Sequence, residues 1–112
     1  MKAAVVVRYT KPVVGREAKA IEYGIDVDKL YREYAADGRC SEPMTFISSQ
    51  GHAMWIITGD EEELAKIDLE PDARRLATKG SLVLEGFGYE VMSFADSSDA
   101  IMGRYSEELA KL

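Results

Sequence analysis

The sequence contains no asparagine and only one cysteine, one histidine and one tryptophan among its 112 residues, and each scarcity removes a class of function. A single thiol, Cys40, can close no internal disulfide, so nothing here calls for an oxidising compartment. No histidine stands beside it in sequence to lower its pKa, and it reads as a structural thiol. With His52 alone and no close cysteine, ligands at zinc spacing are missing and no metal site is expected. No apolar run approaches the roughly 20 residues of a membrane span. The run from Ala3 to Val7 has the length of a strand. A P-loop, a dinucleotide glycine fingerprint and a nucleophile elbow are all missing, and Gly86-Phe87-Gly88 falls inside an expected strand. No cofactor is implied, and the cytoplasm is the default location.

Basic residues are also in deficit. Fourteen Lys and Arg stand against twenty Asp and Glu, a net charge of −6, and that average field repels a phosphate backbone. The densest basic spot, Arg74-Arg75 with Lys79, reads as a solvated helix face. Nucleic acid is not an expected partner. Apolar residues make up 46% of the chain, enough for one core, and a chain of this size hides roughly two thirds of its unfolded surface. Residues 1–112 are read as a single domain.

The apolar pattern then sets the elements. Residues 3–9 are β-branched and apolar in succession, as in a strand covered on both faces, and Lys11-Pro12 ends it. From about Arg16 to Asp37 the period changes to 3.6, with Ala18, Ile21, Ile25, Val27, Leu30, Tyr31 and Tyr34 as the apolar side of one long helix. Gly24 leaves room for a kink, and Gly38 stands where a left-handed C-terminal residue is wanted. Cys40 to Ser49 and Ala53 to Thr58 form a hairpin around the turn chemistry of Ser48-Ser49-Gln50-Gly51. Asp60 has the spacing of an N-cap, and Pro71 restarts a helix that is expected to stop at Lys79-Gly80. Residues 81–95 read as a last strand, interrupted at Gly86 and Gly88. Ser97, Ser98 or Asp99 caps a terminal helix with a stripe of Ile101, Met102, Tyr105, Leu109 and Leu112.

Right-handed crossovers applied to this order give the ferredoxin-like βαββαβ arrangement, an α+β fold with a four-stranded antiparallel sheet plus a C-terminal helix. Helices on one side leave the other face bare. Yet the strands are apolar on both sides: Val5, Val6 and Val7 alternate across the sheet, and Ala53, Trp55 and Ile57 oppose Met54 and Ile56. A bare apolar face predicts a partner sheet, and a homodimer supplies it.

Four stretches carry a family resemblance: Pro12-Val13-Val14-Gly15-Arg16-Glu17-Ala18, Ala36-Asp37-Gly38-Arg39, Ile57-Thr58-Gly59-Asp60 and Val83-Leu84-Glu85-Gly86-Phe87-Gly88. In that order the chain resembles the dimeric α+β barrel superfamily, and more narrowly a set of short bacterial proteins of that type. The resemblance implies two ferredoxin-like sheets facing each other. Relatives include cofactor-independent monooxygenases, haem-degrading enzymes and isomerases. The haem-degrading members resemble one another in an Asn, Trp and His set. This chain has no Asn, and its His52 precedes Trp55 in the hairpin, so haem degradation is not expected.

Candidate site residues remain few. His52, the one side chain with an unperturbed pKa near neutrality, would be the catalytic acid–base group, or else a solvated loop histidine. Trp55 would line a ligand cavity, or else pack in the core. Arg8 and Glu85, charges in apolar strands, would pair with each other or hold a polar ligand. Tyr23 and Tyr31 on the first helix would present hydroxyls to the space above the sheet. Two readings follow. One is a dimeric protein that binds a small apolar or aromatic molecule between sheet and helices. The other is a cofactor-independent enzyme, of monooxygenase or isomerase type, that works through His52 or a tyrosine.

Overall fold

The computed structural model describes residues 2–94 and 98–112. Strand β1 (Lys2–Tyr9) is followed by the two-residue strand β2 (Lys11–Pro12) and helix α1 (Glu17–Ala36). The hairpin β3 (Met44–Ile47) and β4 (Ala53–Asp60) leads into α2 (Glu61–Asp68) and α3 (Pro71–Val83). Then come β5 (Leu84–Glu85), β6 (Gly88–Ser93) and α4 (Ser98–Ala110). The sheet runs β3-β4-β1-β6 with every neighbour antiparallel, and β2 pairs with β5 in a separate short ribbon. This is the ferredoxin-like order expected from the sequence, with β1 in the centre.

Strand alternation divides the sheet cleanly. Ala3, Val5 and Val7 of β1 and Ala53, Trp55 and Ile57 of β4 face the helices and are buried. Against them pack Ala20, Tyr23, Val27, Tyr31 and Tyr34 of α1, Leu64 and Ile67 of α2, and Ala73, Leu76 and Val83 of α3. Arg39, just past Gly38 (φ +76°), clasps the helices together: it pairs with Glu63 at 2.6 Å and Glu70 at 2.5 Å and lies 5.2 Å from the Tyr34 ring centre. Asp60 caps α2 by accepting from the Glu63 amide, and Pro71 opens α3, both as the sequence indicates.

Helix α1 is one long helix, as expected, and Gly24 within it is a contact and not a break: a Cβ there would lie 3.2 Å from the Trp55 ring. Three details differ from expectation. The same kind of contact carries α3 past Gly80, where a Cβ would stand 2.3 Å from the Phe87 ring. The stretch read as one last strand is consequently divided into the end of α3, the β5 bridge, a turn at Gly86 (φ +66°) and β6; Ala95 lies outside the described residues. On α1, Ala18, Ile21 and Ile25 are exposed, while Ala20 and Tyr23 take the buried positions. Tertiary packing rotates the buried stripe about a third of a turn from where the isoleucines put it.

The other face of the sheet carries Ala4, Val6, Met54, Ile56, Met44, Phe46 and Met92, with no helix over it among the described elements. Phe46, Met92 and Met44 are 53%, 51% and 46% exposed. Its hairpin end bears Arg8 and Glu90, 3.8 Å apart. Helix α4 does not blanket this face either: Met102, Tyr105, Leu109 and Leu112 of its stripe are exposed. The radius of gyration, 15.9 Å, exceeds the ~13 Å of a compact chain this long, in keeping with an element that stands off the body. Ser97, one of the residues read as its cap, lies outside the described residues.

Candidate functional site

An aromatic seam runs through the space between sheet and helices. Tyr9 touches Trp55, Trp55 meets Tyr23 edge-on, and the contacts pass through Phe87 and Tyr89 to Tyr31 and Tyr34, with ring centres 5.6–6.4 Å apart. Offset and edge-to-face geometries of this kind add about 0.5–1.5 kcal/mol per pair beyond area burial. The seam packs the interior between sheet and helices, and clefts lie at its open margins.

The first cleft lies between α1 and the edge strand β3. Trp55 and Tyr9 border it, and Gly24 lets the helix backbone come down onto the indole. Ile21, Ile25 and Ile47 form its rim, 68%, 62% and 75% exposed, with Asp28 and Lys29 at the outer edge. Three branched aliphatic side chains held in water beside two aromatic rings make an apolar groove. The sequence reading singled out Trp55 as a candidate to line a cavity and put Ile21 and Ile25 in the apolar stripe of α1; here all three border one groove, with the isoleucines exposed.

The second cleft, about 360 Å³, lies at the hairpin end of the sheet, where Arg8, Phe46 and Met54 of the bare face meet the 48–52 turn and Gly86. His52 is exposed and borders this cleft, not the Trp55 groove. Its backbone is fixed by the turn: its amide donates to the Ser48 hydroxyl oxygen at 3.1 Å, and its carbonyl accepts from the Ser48 amide.

Arg8 and Glu85 do not meet. The short ribbon pairs Glu85 with Lys11 at 3.3 Å, while Arg8 faces Glu90, one residue pair further along β6. The split of the last strand explains the change of partner, because Glu85 belongs to β5 and never joins the main sheet.

Tyr23 and Tyr31 are completely buried. The Tyr31 hydroxyl is hydrogen-bonded to that of Tyr89, tying α1 to β6. The Tyr23 hydroxyl has no hydrogen-bond partner among the described residues. Burial, followed by the neighbouring Tyr89 hydroxyl, pushes the Tyr23 and Tyr31 phenols far up, and burial pushes Tyr89 to about 12. Such phenols keep their protons at neutral pH and cannot act as bases there. Cys40 is half-buried, its Sγ 3.9 Å from the Tyr31 carbonyl, and burial raises its pKa, as suits a structural thiol. Arg74, Arg75 and Lys79 are spoken for by Asp68, Asp72 and Asp26, so the densest basic spot is a paired helix surface. No helix among the described residues is long and apolar enough to cross a membrane.

No family model and no curated protein matches the chain. Solved structures do. Rv0793 from Mycobacterium tuberculosis superposes with a TM-score of 0.66 at 14% identity, covering 88% of this chain and 99% of that one. A dimeric ferredoxin-like protein of unknown function from Jannaschia sp. CCS1 gives 0.64 at 12% identity, covering 85% and 99%. A dimeric protein of unknown function and ferredoxin-like fold from Bacteroides fragilis gives 0.55 at 7%, covering 83% and 96%. At these identities the likeness establishes the fold alone. That fold is the ferredoxin-like α+β architecture which the sequence resemblance implied.

Proposed function

We propose that this chain acts as a homodimer through the bare face of its sheet, and that each subunit holds a small apolar or aromatic molecule in the groove beside Trp55. The observation that carries the binding role is the exposed trio Ile21, Ile25 and Ile47 set around Trp55 and Tyr9, since isolated branched side chains do not collect in water by chance around an aromatic floor. The dimer is supported by the apolar bare face and by the two structural neighbours described as dimeric.

The pairing is tested by light scattering at micromolar concentration. The wild type is expected at twice the 12.4 kDa chain mass, and Ile56→Lys, which sets a charge in mid-face, at the single-chain mass. A monomeric wild type, or a lysine variant that stays paired, removes the dimer. The groove is tested separately with the neutral fluorophore N-phenyl-1-naphthylamine. Ile21→Asp with Ile25→Asp is expected to weaken its binding at least tenfold without changing the mass; unchanged affinity removes the groove as the site.

The enzymatic alternative has less support. Of the tyrosines that could serve it, Tyr23 and Tyr31 are fully buried, which raises their pKa values, and His52 borders the Arg8 cleft and not the Trp55 groove.

A further inference from the structure

The cleft bordered by Arg8 adjoins the Trp55 groove at the hairpin end of the sheet, sharing Tyr9, Ile47 and Ala53 with it, but it reaches the bare face through Arg8, Phe46 and Met54 and its chemistry is different. The chain carries a net charge of −6, yet among the described residues the lining of this cleft includes a guanidinium and no carboxylate. The Arg8 side chain makes no hydrogen bond among the described residues, and its one ionic neighbour there, Glu90, stands 3.8 Å away with both side chains 52% exposed. That separation exceeds a hydrogen bond, so the five N–H donors of the fork remain available to an acceptor.

The guanidinium lies against β6. A Cβ on Gly88 would lie 3.2 Å from Arg8 Nε and 3.3 Å from Cζ, so the side chain runs across the bare backbone of β6, and a side chain at position 88 would make it give by a few tenths of an ångström. Around this cation stand the hydroxyl groups of Ser48 and Thr10, the imidazole of His52, and the apolar side chains of Phe46 and Met54. Ser48 Oγ accepts from the Gln50 and His52 amides, which leaves its own hydrogen free to donate. A planar fork at one end and an aromatic and a thioether side chain at the other match a molecule that is anionic at one end and apolar along its body.

We propose that this cleft is a second binding site, for a small aromatic or aliphatic carboxylate, with Arg8 as the anchor of the carboxylate and Phe46 and Met54 against the body. The site shares Tyr9, Ile47 and Ala53 with the groove beside Trp55 but has its own anchor, Arg8, which does not border that groove. In a sheet-to-sheet dimer it lies at the hairpin end of the paired face. The rival use of Arg8 is an ion pair with the second copy.

The test is a titration of the full chain with 2-naphthoate and with its neutral counterpart 2-naphthalenemethanol, followed by amide NMR shifts of Thr10, His52 and Gly86. Naphthoate is expected to move these amides at least tenfold more tightly than the alcohol, and added salt to weaken it. Arg8→Met, which keeps the aliphatic stem, is expected to lose at least tenfold in naphthoate affinity and to leave the alcohol unchanged; Arg8→Lys is expected to fall between. Equal affinity for acid and alcohol in the wild type overturns the site whatever the variants do. So do shifts confined to Gly24 and Ile25, or an Arg8→Met chain that loses its dimer mass but binds naphthoate like the wild type. Arg8 borders this cleft and not the Trp55 groove, whereas Ile21 and Ile25 border the groove and not this cleft, so the two sets of variants test the two sites separately.

Discussion

Above pH 10 the protein is expected to lose its fold cooperatively, with phenolate absorbance at 295 nm rising as the helical circular dichroism falls. The folded state holds the Tyr23, Tyr31 and Tyr89 protons to higher pH than the 10.0 of a free phenol, Tyr89 to about 12. Burial is the leading cause in each. The unfolded chain therefore releases protons first, and folded stability falls as pH rises through 10. Below pH 10 all three are protonated in both states and contribute no slope. Each proton withheld by the fold costs about 1.4 kcal/mol per pH unit, so three cost about 4 kcal/mol per unit. A domain with ~5–15 kcal/mol of stability cannot absorb that for more than a few units. Tyr34, raised by burial and by the charges of Glu70 and Asp72, steepens the fall. Phenolate absorbance beyond what exposed Tyr105 and half-buried Tyr9 can supply, appearing near pH 10 while the dichroism stays native, would show that the seam is open to water.

The second large effect concerns Tyr31. Tyr31→Ala is expected to cost about 3–5 kcal/mol in urea denaturation, as the truncation of fully buried aromatics does. It is flanked by Tyr34 and Tyr89, and its loss opens the seam at the point where α1 meets β6. The hydroxyl group separates packing from hydrogen bonding. Tyr31→Phe keeps the ring but leaves the Tyr89 hydroxyl without its partner, and about 1 kcal/mol should be lost. Tyr23→Phe removes a buried hydroxyl that has no hydrogen-bond partner among the described residues, and stability should hold or rise. If the two phenylalanine variants behave alike, the Tyr31–Tyr89 bond has no special role.

Much of this architecture was legible because the strands speak in alternation. Ala53-Met54-Trp55-Ile56-Ile57 announces two apolar faces, and the structure has both, one under helices and one bare. The Asp60 cap, the Pro71 start and the Gly38 stop were equally readable, since each rests on chemistry within a few residues. What failed depended on contacts far apart in sequence. Gly80 reads locally as a helix end, and only the Phe87 ring pressed against it turns it into a helix interior. Glu85 reads as a neighbour of Arg8 until β5 departs to pair with β2. Ile21 and Ile25 look like core because apolarity alone does not distinguish a buried stripe from a groove wall. The candidate site was legible in part for the same reason. Trp55 was found by its rarity, whereas the isoleucines around it and the Arg8–Gly88 contact exist only once the chain is folded.

The contact of Trp55 with the Gly24 backbone has a consequence for size selection. Helix α1 reaches its depth over the sheet because residue 24 has no side chain, and one added carbon, 3.2 Å from the indole, would push either the ring or the helix aside. If the groove holds a molecule as proposed, its width between Ile25 and Ile47 follows from a single hydrogen atom in place of a methyl group at position 24, and Gly24→Ala would be the substitution that alters it.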